Sequence, residues 1–450
     1  MAKSLILGKR RIGRGKSINM DPAPPLCLGL TGPFGSGCTT IMKEILDKSP
    51  FLFKGFSLSD PVREAWKANN AGKSLEDARR SELQDIGNEL RRKSNDSAFL
   101  AKRAVEKASC AASKEDSLVF DSIRNAAEVE YLRMAYPNFY LIGVCCSEKP
   151  RWERVKKEYE SPHKLQHSDF KIDEQRDQNE EGIPFGQQVG LCMYEADVLI
   201  SNEPKSMLGL TGSVNVLREK LIEHVRVFRG TPRTPTEPEM FMSIAHNASL
   251  MSSCIKRQVG AVLIDQRGLV VGVGWNANPK PLESCIKEFG VCYRTMRIEE
   301  QLTELKNCPF CGSEFKAPLR DPYTCPNSAC HRDIYREYVR DRAMSKCTAL
   351  HAEEMAILNA GRSSLEGCTI YTTTFPCFTC AQKILYAGIK RIVYVESYPD
   401  MDSVALFDKV KETHDLRVNK FEGVKARAYH RLFGSWRKIK EDEILRKRRE

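Results

Sequence analysis

No stretch of this 450-residue chain reaches the ~18 consecutive apolar residues that a helix needs to cross a bilayer. The apolar triplet Leu5–Leu7 near the start is too short for the core of a secretory signal, and no cleavage-like site follows it. A cytoplasmic protein without a membrane partner is therefore expected. Aromatic residues make up only 8% of the chain, and no basic stretch is interleaved with them. That argues against a surface built to stack on single-stranded bases. Internal repeats and long low-complexity segments are absent too. With 41% hydrophobic and 29% charged residues, the chain has the composition of a folded protein with real cores.

What is present is positive charge and cysteine. Lysine and arginine number 70 against 59 acidic residues, a net charge of +11. Such an excess points to polyanionic ligands, nucleotides or nucleic acid, rather than to any one fold. Part of it lies at the ends, "KRRIGRGK" from Lys9 and "LRKRRE" from Leu445. Solvated tails are the plainer reading of both, and contact with RNA is the alternative. The 17 cysteines need another explanation, because disulfides are not expected in a reducing compartment. Metal binding supplies one.

"TGPFGSGCTT", Thr31 to Thr40, has the spacing of a phosphate-binding loop, G-x-x-x-x-G-K-[ST]. Gly32 and Gly37 hold the two glycine positions, with Gly35 between them. Thr39 stands where the magnesium-binding hydroxyl belongs, followed by Thr40. The lysine is missing, and Cys38 replaces it. Residues 24–31 read as a strand entering the loop and residues 39–46 as a helix leaving it. "DSLVFD" ends in Asp121, the candidate acidic partner of a bound magnesium ion. "FYLIGVCC" and "ADVLIS" are further strands, separated by charged helical stretches, which argues a parallel α/β sheet. Then "RGTPRTPTEPE", residues 229–239, carries three prolines and no apolar side chain, and reads as a linker.

Beyond the linker, "HAE" supplies His351 and Glu353, and "PCFTC" supplies Cys377 and Cys380. A catalytic zinc takes three protein ligands and leaves one position for water. His351, Cys377 and Cys380 give that number. Cysteines at a helix start are favoured as thiolates by the backbone N–H groups and the helix dipole. Glu353, two residues past the histidine, is placed to shuttle a proton. This H-x-E…P-C-x-x-C order suits hydrolytic removal of an exocyclic amine, because zinc lowers the pKa of water and the glutamate protonates the ring and the leaving ammonia. Alone, a C-x-x-C pair or an H-x-E triplet is weak. Together, each leading a helix with a strand between, they are a strong signal.

Residues 239 to about 425 resemble the cytidine and deoxycytidylate deaminase family. The likeness extends through "KRQVGAVLID", "GWNANP", "GCTIYTTTFPCFTCAQKILYAGIKRIVY" and "SYPD" to the branch acting on free deoxycytidine nucleotides. It implies a three-layer αβα fold around a mixed sheet, and an oligomer by analogy. Asn276 would then contact substrate near the zinc, and Tyr398 would lie near the pocket rim. Lys256, Arg257, Arg340 and Arg342 are candidates for the substrate phosphates.

"CPFC" (Cys308, Cys311) and "CPNSAC" (Cys325, Cys330) bracket a short loop within a polar insertion at about 285–347. Four thiolates in two pairs match a closed zinc ribbon, a second, structural zinc. His331 is an alternative to Cys330. Cys285, Cys292 and Cys347 are spare and are expected to be small buried hydrophobes.

The first half resembles nucleoside and deoxynucleoside monophosphate kinases, in the loop and in "SLSDPVREAW", "FDSIRNAAEVEYLR" and "ADVLISN". Backbone N–H groups and a helix N-terminus bind phosphate without a lysine. What is lost is the cation that neutralises the transferred phosphoryl group. A nucleotide-sensing module, with a nucleoside triphosphate and Mg²⁺ as candidate ligands, is favoured over a working kinase. Arg63 or Arg124 could supply the missing charge. The order of parts is similar to that of bacterial anti-phage dCTP/dCMP deaminases. That resemblance implies conversion of dCTP and dCMP to uracil nucleotides. The expected organisation is an α/β chain with a basic tail (1–20), a P-loop kinase-like parallel-sheet domain (21–228), a linker (229–239), a deaminase-type domain (240–425) and a basic C-terminal segment (426–450). A deaminase acting on single-stranded DNA or RNA, and a deoxynucleoside monophosphate kinase fused to a deaminase, are the alternatives.

Overall fold

Short apolar runs bounded by turn residues become strands throughout the first half: β1 (Cys27–Thr31), β2 (Lys54–Ser57), β3 (Leu118–Asp121), β4 (Phe139–Cys145) and β5 (Val198–Ser201). They form a parallel sheet in the order β5-β4-β1-β3-β2. All seven residues of β4 are buried, as befits a parallel strand with both faces covered. β1 lies centrally, so its loop opens at the carboxyl edge of the sheet, where parallel sheets bind ligands. The computed structural model describes residues 25–434, apart from 47–51, 162, 179, 181–182, 205–208, 316–322, 335–337, 339–346, 362–363 and 397–400. The basic tail 1–20 and residues 435–450 lie outside the described residues, as do Tyr398, Arg340 and Arg342.

Helix Gly209–Phe228 closes the first sheet, and the proline-rich segment after it runs without regular structure to helix Glu237–Ser249. Thr236 and Glu239 form a capping box at that helix start, with proline in the first turn. Glu239 is 1% exposed and also accepts from Arg233 and from Val424 N, so it ties the linker to the far end of the chain.

The second half contains β6 (Gly260–Ile264), β7 (Val270–Trp275), β8 (Thr369–Thr374), β9 (Arg391–Glu396) and β10 (Arg417–Lys420), in the order β10-β9-β8-β6-β7. β6 is antiparallel to both neighbours, whereas β8, β9 and β10 run parallel. Side chains of β6 alternate between two layers, as strand geometry requires. Val262 and Ile264 join a cluster with Phe241, Met242 and Ala245 of helix Glu237–Ser249. Ala261 and Leu263 join Ala352, Ala356 and Ile384 of helices Ala352–Asn359 and Phe378–Tyr386 on the other face. Gly272 and Gly274 permit the closest approach: a Cβ on either would lie 2.3 or 2.2 Å from the carbonyls of Ala356 and Ala352. The helix that begins after His351 is thereby pressed directly onto β7.

β11 (Gly423–Val424) returns to the first half and pairs antiparallel with β5. Helix Ala426–Phe433 follows it and buries Ala428, Leu432 and Phe433 against the first sheet's core. The sequence reading placed these residues at the start of a basic terminal segment. Their apolar face makes them part of the fold instead.

Candidate active site

His351 and Cys377 occupy equivalent places, each the N-cap residue of a helix packed on the second sheet. β8 ends at Thr374, two residues before Pro376, and so delivers Cys377 and, one turn on, Cys380 to the same point. The Nδ1 of His351 lies 3.3 Å from the sulfurs of both Cys377 and Cys380. Tetrahedral zinc with ordinary Zn–N and Zn–S bonds would place such atoms about 3.6 Å apart. The donor set and its spacing therefore fit zinc. Cys380 and His351 beside Cys377 hold its thiol well down, at about 4, so it offers a thiolate.

Glu353 is 4% exposed, and burial raises its carboxyl above the usual range, opposed by the His351 charge. Its Oε1 accepts from the Thr372 hydroxyl at 3.0 Å. Thr372, fully buried on β8, was not among the residues singled out by sequence. A polar residue within a buried strand is the one signal that could have found it, and Thr373 and Thr374 carry the same signal. Asn276 is largely committed elsewhere: its Oδ1 accepts from Val259 N and its Nδ2 donates to Arg257 O, fixing that loop. Arg257 is itself paired with Glu396 at 3.0 Å.

In the insertion, Cys308, Cys311, Cys325 and Cys330 come together with their sulfurs all within 4.8 Å of one another. The Cys308–Cys330 and Cys311–Cys325 separations are 3.9 and 3.7 Å, against about 3.8 Å for the edge of a tetrahedral ZnS₄ site. Cys330, not His331, completes the set. Cys285 and Cys347 are half-buried rather than buried like Cys292, and all three line a small cavity with Cys254.

At the first sheet, Gly35 and Gly37 take φ of 78° and 102°, the left-handed region glycine tolerates. Arg151 donates to Phe34 O, Arg154 to Gly35 O, and Asn202 to Ser36 O, so the loop's carbonyls are held from outside. Thr39 Oγ1 donates to Asp121 Oδ2 at 2.8 Å, while the buried Asp121 Oδ1 has no partner. Burial pushes the Cys38 thiol up to about 11, so it puts no negative charge in the loop. Gly32, Thr40 and the rest of the loop line a cavity of about 320 Å³, together with Arg63, Arg80, Arg124 and Arg154. Arg124 is spoken for by Asp177 at 2.8 Å.

No helix among the described residues is long and apolar enough to cross a membrane. The family described as the cytidine and deoxycytidylate deaminase zinc-binding region matches residues 235–396, which contain both cysteine clusters and Glu353. The deoxycytidylate deaminase of Schizosaccharomyces pombe is 32% identical over 170 residues, 38% of this chain and 39% of that enzyme. The chain thus spans about two fifths of the length of that relative. The deoxycytidylate deaminase of Enterobacteria phage T4 is 32% identical over 162 residues, 35% of this chain and 76% of the phage enzyme. Among solved structures, the dCMP deaminase of cyanophage S-TIM5 in complex with dCMP and dUMP aligns at 21% identity and a TM-score of 0.26, over 42% of this chain and 99% of that one. With three quarters of the phage enzyme aligned around one zinc-binding region, the chain belongs to the cytidine and deoxycytidylate deaminase family.

Proposed function

We propose that this protein removes the 4-amino group of free deoxycytidine nucleotides, converting dCMP and dCTP to dUMP and dUTP with release of ammonia. The observation that carries this reading is the convergence of His351, Cys377 and Cys380 beside a buried carboxyl. These three residues would hold the catalytic zinc, which when bound makes a water molecule nucleophilic near neutral pH. Glu353 takes a proton from the attacking water and gives it to N3 of the cytosine as the C4–O bond forms. It then takes the remaining proton from the new C4 hydroxyl and delivers it to the departing amine as the C4–N4 bond breaks and the C4 carbonyl forms. Thr372 steadies the carboxyl through its hydrogen bond to Oε1. Asn276 orders the loop at 257–259 and keeps one amide hydrogen for the substrate. The four cysteines of the insertion hold a structural zinc.

In the same reading the first half is a kinase-like, nucleotide-binding regulatory module. Thr39 and Asp121 would hold Mg²⁺ on a bound nucleotide, a role the unpartnered Asp121 Oδ1 supports. Cys38 in place of lysine leaves a cradle without its transfer cation, which favours binding over phosphoryl transfer. Loss of dCTP to such an enzyme would deprive DNA synthesis of a precursor, the antiviral role that its likeness to anti-phage deaminases suggests. An inhibitory RNA and self-association complete the proposal as means of restraint and assembly.

The test is direct. Purified protein is incubated with dCTP, dCMP, cytidine and a cytosine-containing oligonucleotide, and uracil products and ammonia are measured. Turnover of the oligonucleotide with free nucleotides untouched would replace this reading with an editing one. ATP-dependent formation of dCDP would make the first half a kinase.

A further inference from the structure

Helix Arg80–Ser94 turns Arg80, Gln84, Gly87 and Arg91 toward the first-half cavity. Their spacing is that of the inward stripe of an amphipathic helix, where apolar residues normally stand. Gln84 is buried at 2% exposure, and so is Gln187, which meets the cavity from another segment. The groups behind dictate how each amide points. Gln84 Nε2 donates to Asp177 Oδ1 at 2.6 Å and to Asp173 O at 3.1 Å. Gln187 Nε2 donates to Asn88 Oδ1 at 3.0 Å, and Asn88 Nδ2 in turn donates to Glu180 Oε2 at 2.6 Å. Flipping either glutamine would set an amide oxygen against an acceptor. Both Oε1 atoms are therefore left over, and neither has a partner. Buried acceptors without donors are rare in folded proteins and mark a place where something else donates.

The surroundings narrow the donor. Leu83, Leu100 and Ile123 line the same cavity beside Arg80 and Arg91, so the acceptors share a wall of apolar and cationic groups, while the phosphate loop forms its other side. A pocket that sets apolar side chains beside hydrogen-bonding groups suits a flat heterocycle better than a sugar. We infer that Gln84 and Gln187 read the base of a nucleotide, each accepting an N–H from its edge while the loop Gly32–Thr39 holds the phosphates. This rests on the proposed phosphate binding by that loop, and names its ligand as a nucleotide recognised through base N–H groups rather than a bare polyphosphate.

The experiment uses the full chain carrying Glu353→Ala, so that no ligand is turned over, with Mg²⁺ present. Equilibrium binding is measured for tripolyphosphate, for dATP, dGTP, dCTP and dTTP, and for the tightest of these with its edge N–H methylated. Binding lost in Thr39→Val is assigned to the cavity. At least one nucleotide should bind tenfold or more tightly than tripolyphosphate. Methylation should weaken it by about ten- to a hundredfold, the usual effect of an unmade buried hydrogen bond. Gln187→Leu should erase the difference between the two forms; the ligand comparison stands without that variant if it does not fold. Equal binding of methylated and unmethylated forms would overturn the inference. So would tripolyphosphate matching every nucleotide, an outcome that leaves the phosphate loop intact. If neither polyphosphate nor nucleotide binds, the phosphate-loop reading falls with it.

Discussion

The two cysteine clusters use the same ligand chemistry on unlike scaffolds. His351, Cys377 and Cys380 are positioned by two helices on a five-stranded sheet, over a core that includes Ala261, Leu263, Ile370 and Ile392. Among the described residues, the four-cysteine group is held by the isolated bridges Asn307–Glu314 and Thr324–Asp333 and by a small core built around Ile298 and Leu302, from helix Tyr293–Glu304, and Ile334. Two of that core's five buried members are Cys308 and Cys325 themselves. Where the sheet already fixes the donors, a bound metal would be free to do chemistry with an open position. In the insertion a bound metal would stand in for the core a small segment cannot build.

Metal removal tests this contrast most severely. Chelation should abolish turnover completely, and the three-donor site, held by fewer bonds, should empty before the four-thiolate site. Zinc content and deamination followed together through a chelator titration would show activity vanishing with the first equivalent lost. Full activity in metal-free protein would remove the proposed mechanism. Next in size is Glu353→Ala. General acid–base catalysis is worth about 10²–10⁴ in rate, so a fall of roughly a thousandfold is expected with zinc content unchanged. A variant that also lost zinc would show that the carboxyl holds the site together rather than moving protons.

The contrast also separates what sequence reveals from what it conceals. The three-donor site was legible because its residues lie in two short, ordered motifs, each at a helix start. The four cysteines were legible as pairs, and their choice over His331 needed coordinates. Thr372 was hidden, because β8 reads simply as a strand and nothing in "TIYTTT" says which hydroxyl meets Glu353. β11 and the helix after it were hidden for another reason. Their basic surface masked an apolar face that only pairing with β5, far earlier in the chain, makes useful. Gln84 and Gln187 break the apolar pattern of their helix and loop, and that break acquires meaning only when the acceptors behind them, Asp177 and Asn88, are known.

Thr372 sharpens the comparison, since among the described residues only the three-donor cluster has a buried carboxyl beside it. Thr372→Val keeps the volume and removes the donor to Glu353, 3.0 Å away in a fully buried position. A hydrogen bond to a charged group is worth about ten- to a hundredfold, so kcat should drop by about tenfold or more with KM little changed. Thr372→Ser should restore most of it. Equal loss in both variants would mark the position as packing alone.

The smallest effect on turnover belongs to the insertion. Cys325 is fully buried and its sulfur is 3.7 Å from that of Cys311. Cys325→Ser removes a soft ligand from a closed site, so bound zinc should fall from about two equivalents to about one. The local core around Ile298, Leu302 and Ile334 would loosen with it, and protease cleavage within the insertion should appear. Turnover should stay within about threefold of the parent, because the catalytic donors are fixed by the sheet and not by the ribbon. A collapse of activity with the catalytic zinc still in place would instead make the ribbon a wall of the substrate pocket, and the division between a chemical and a structural metal would no longer hold.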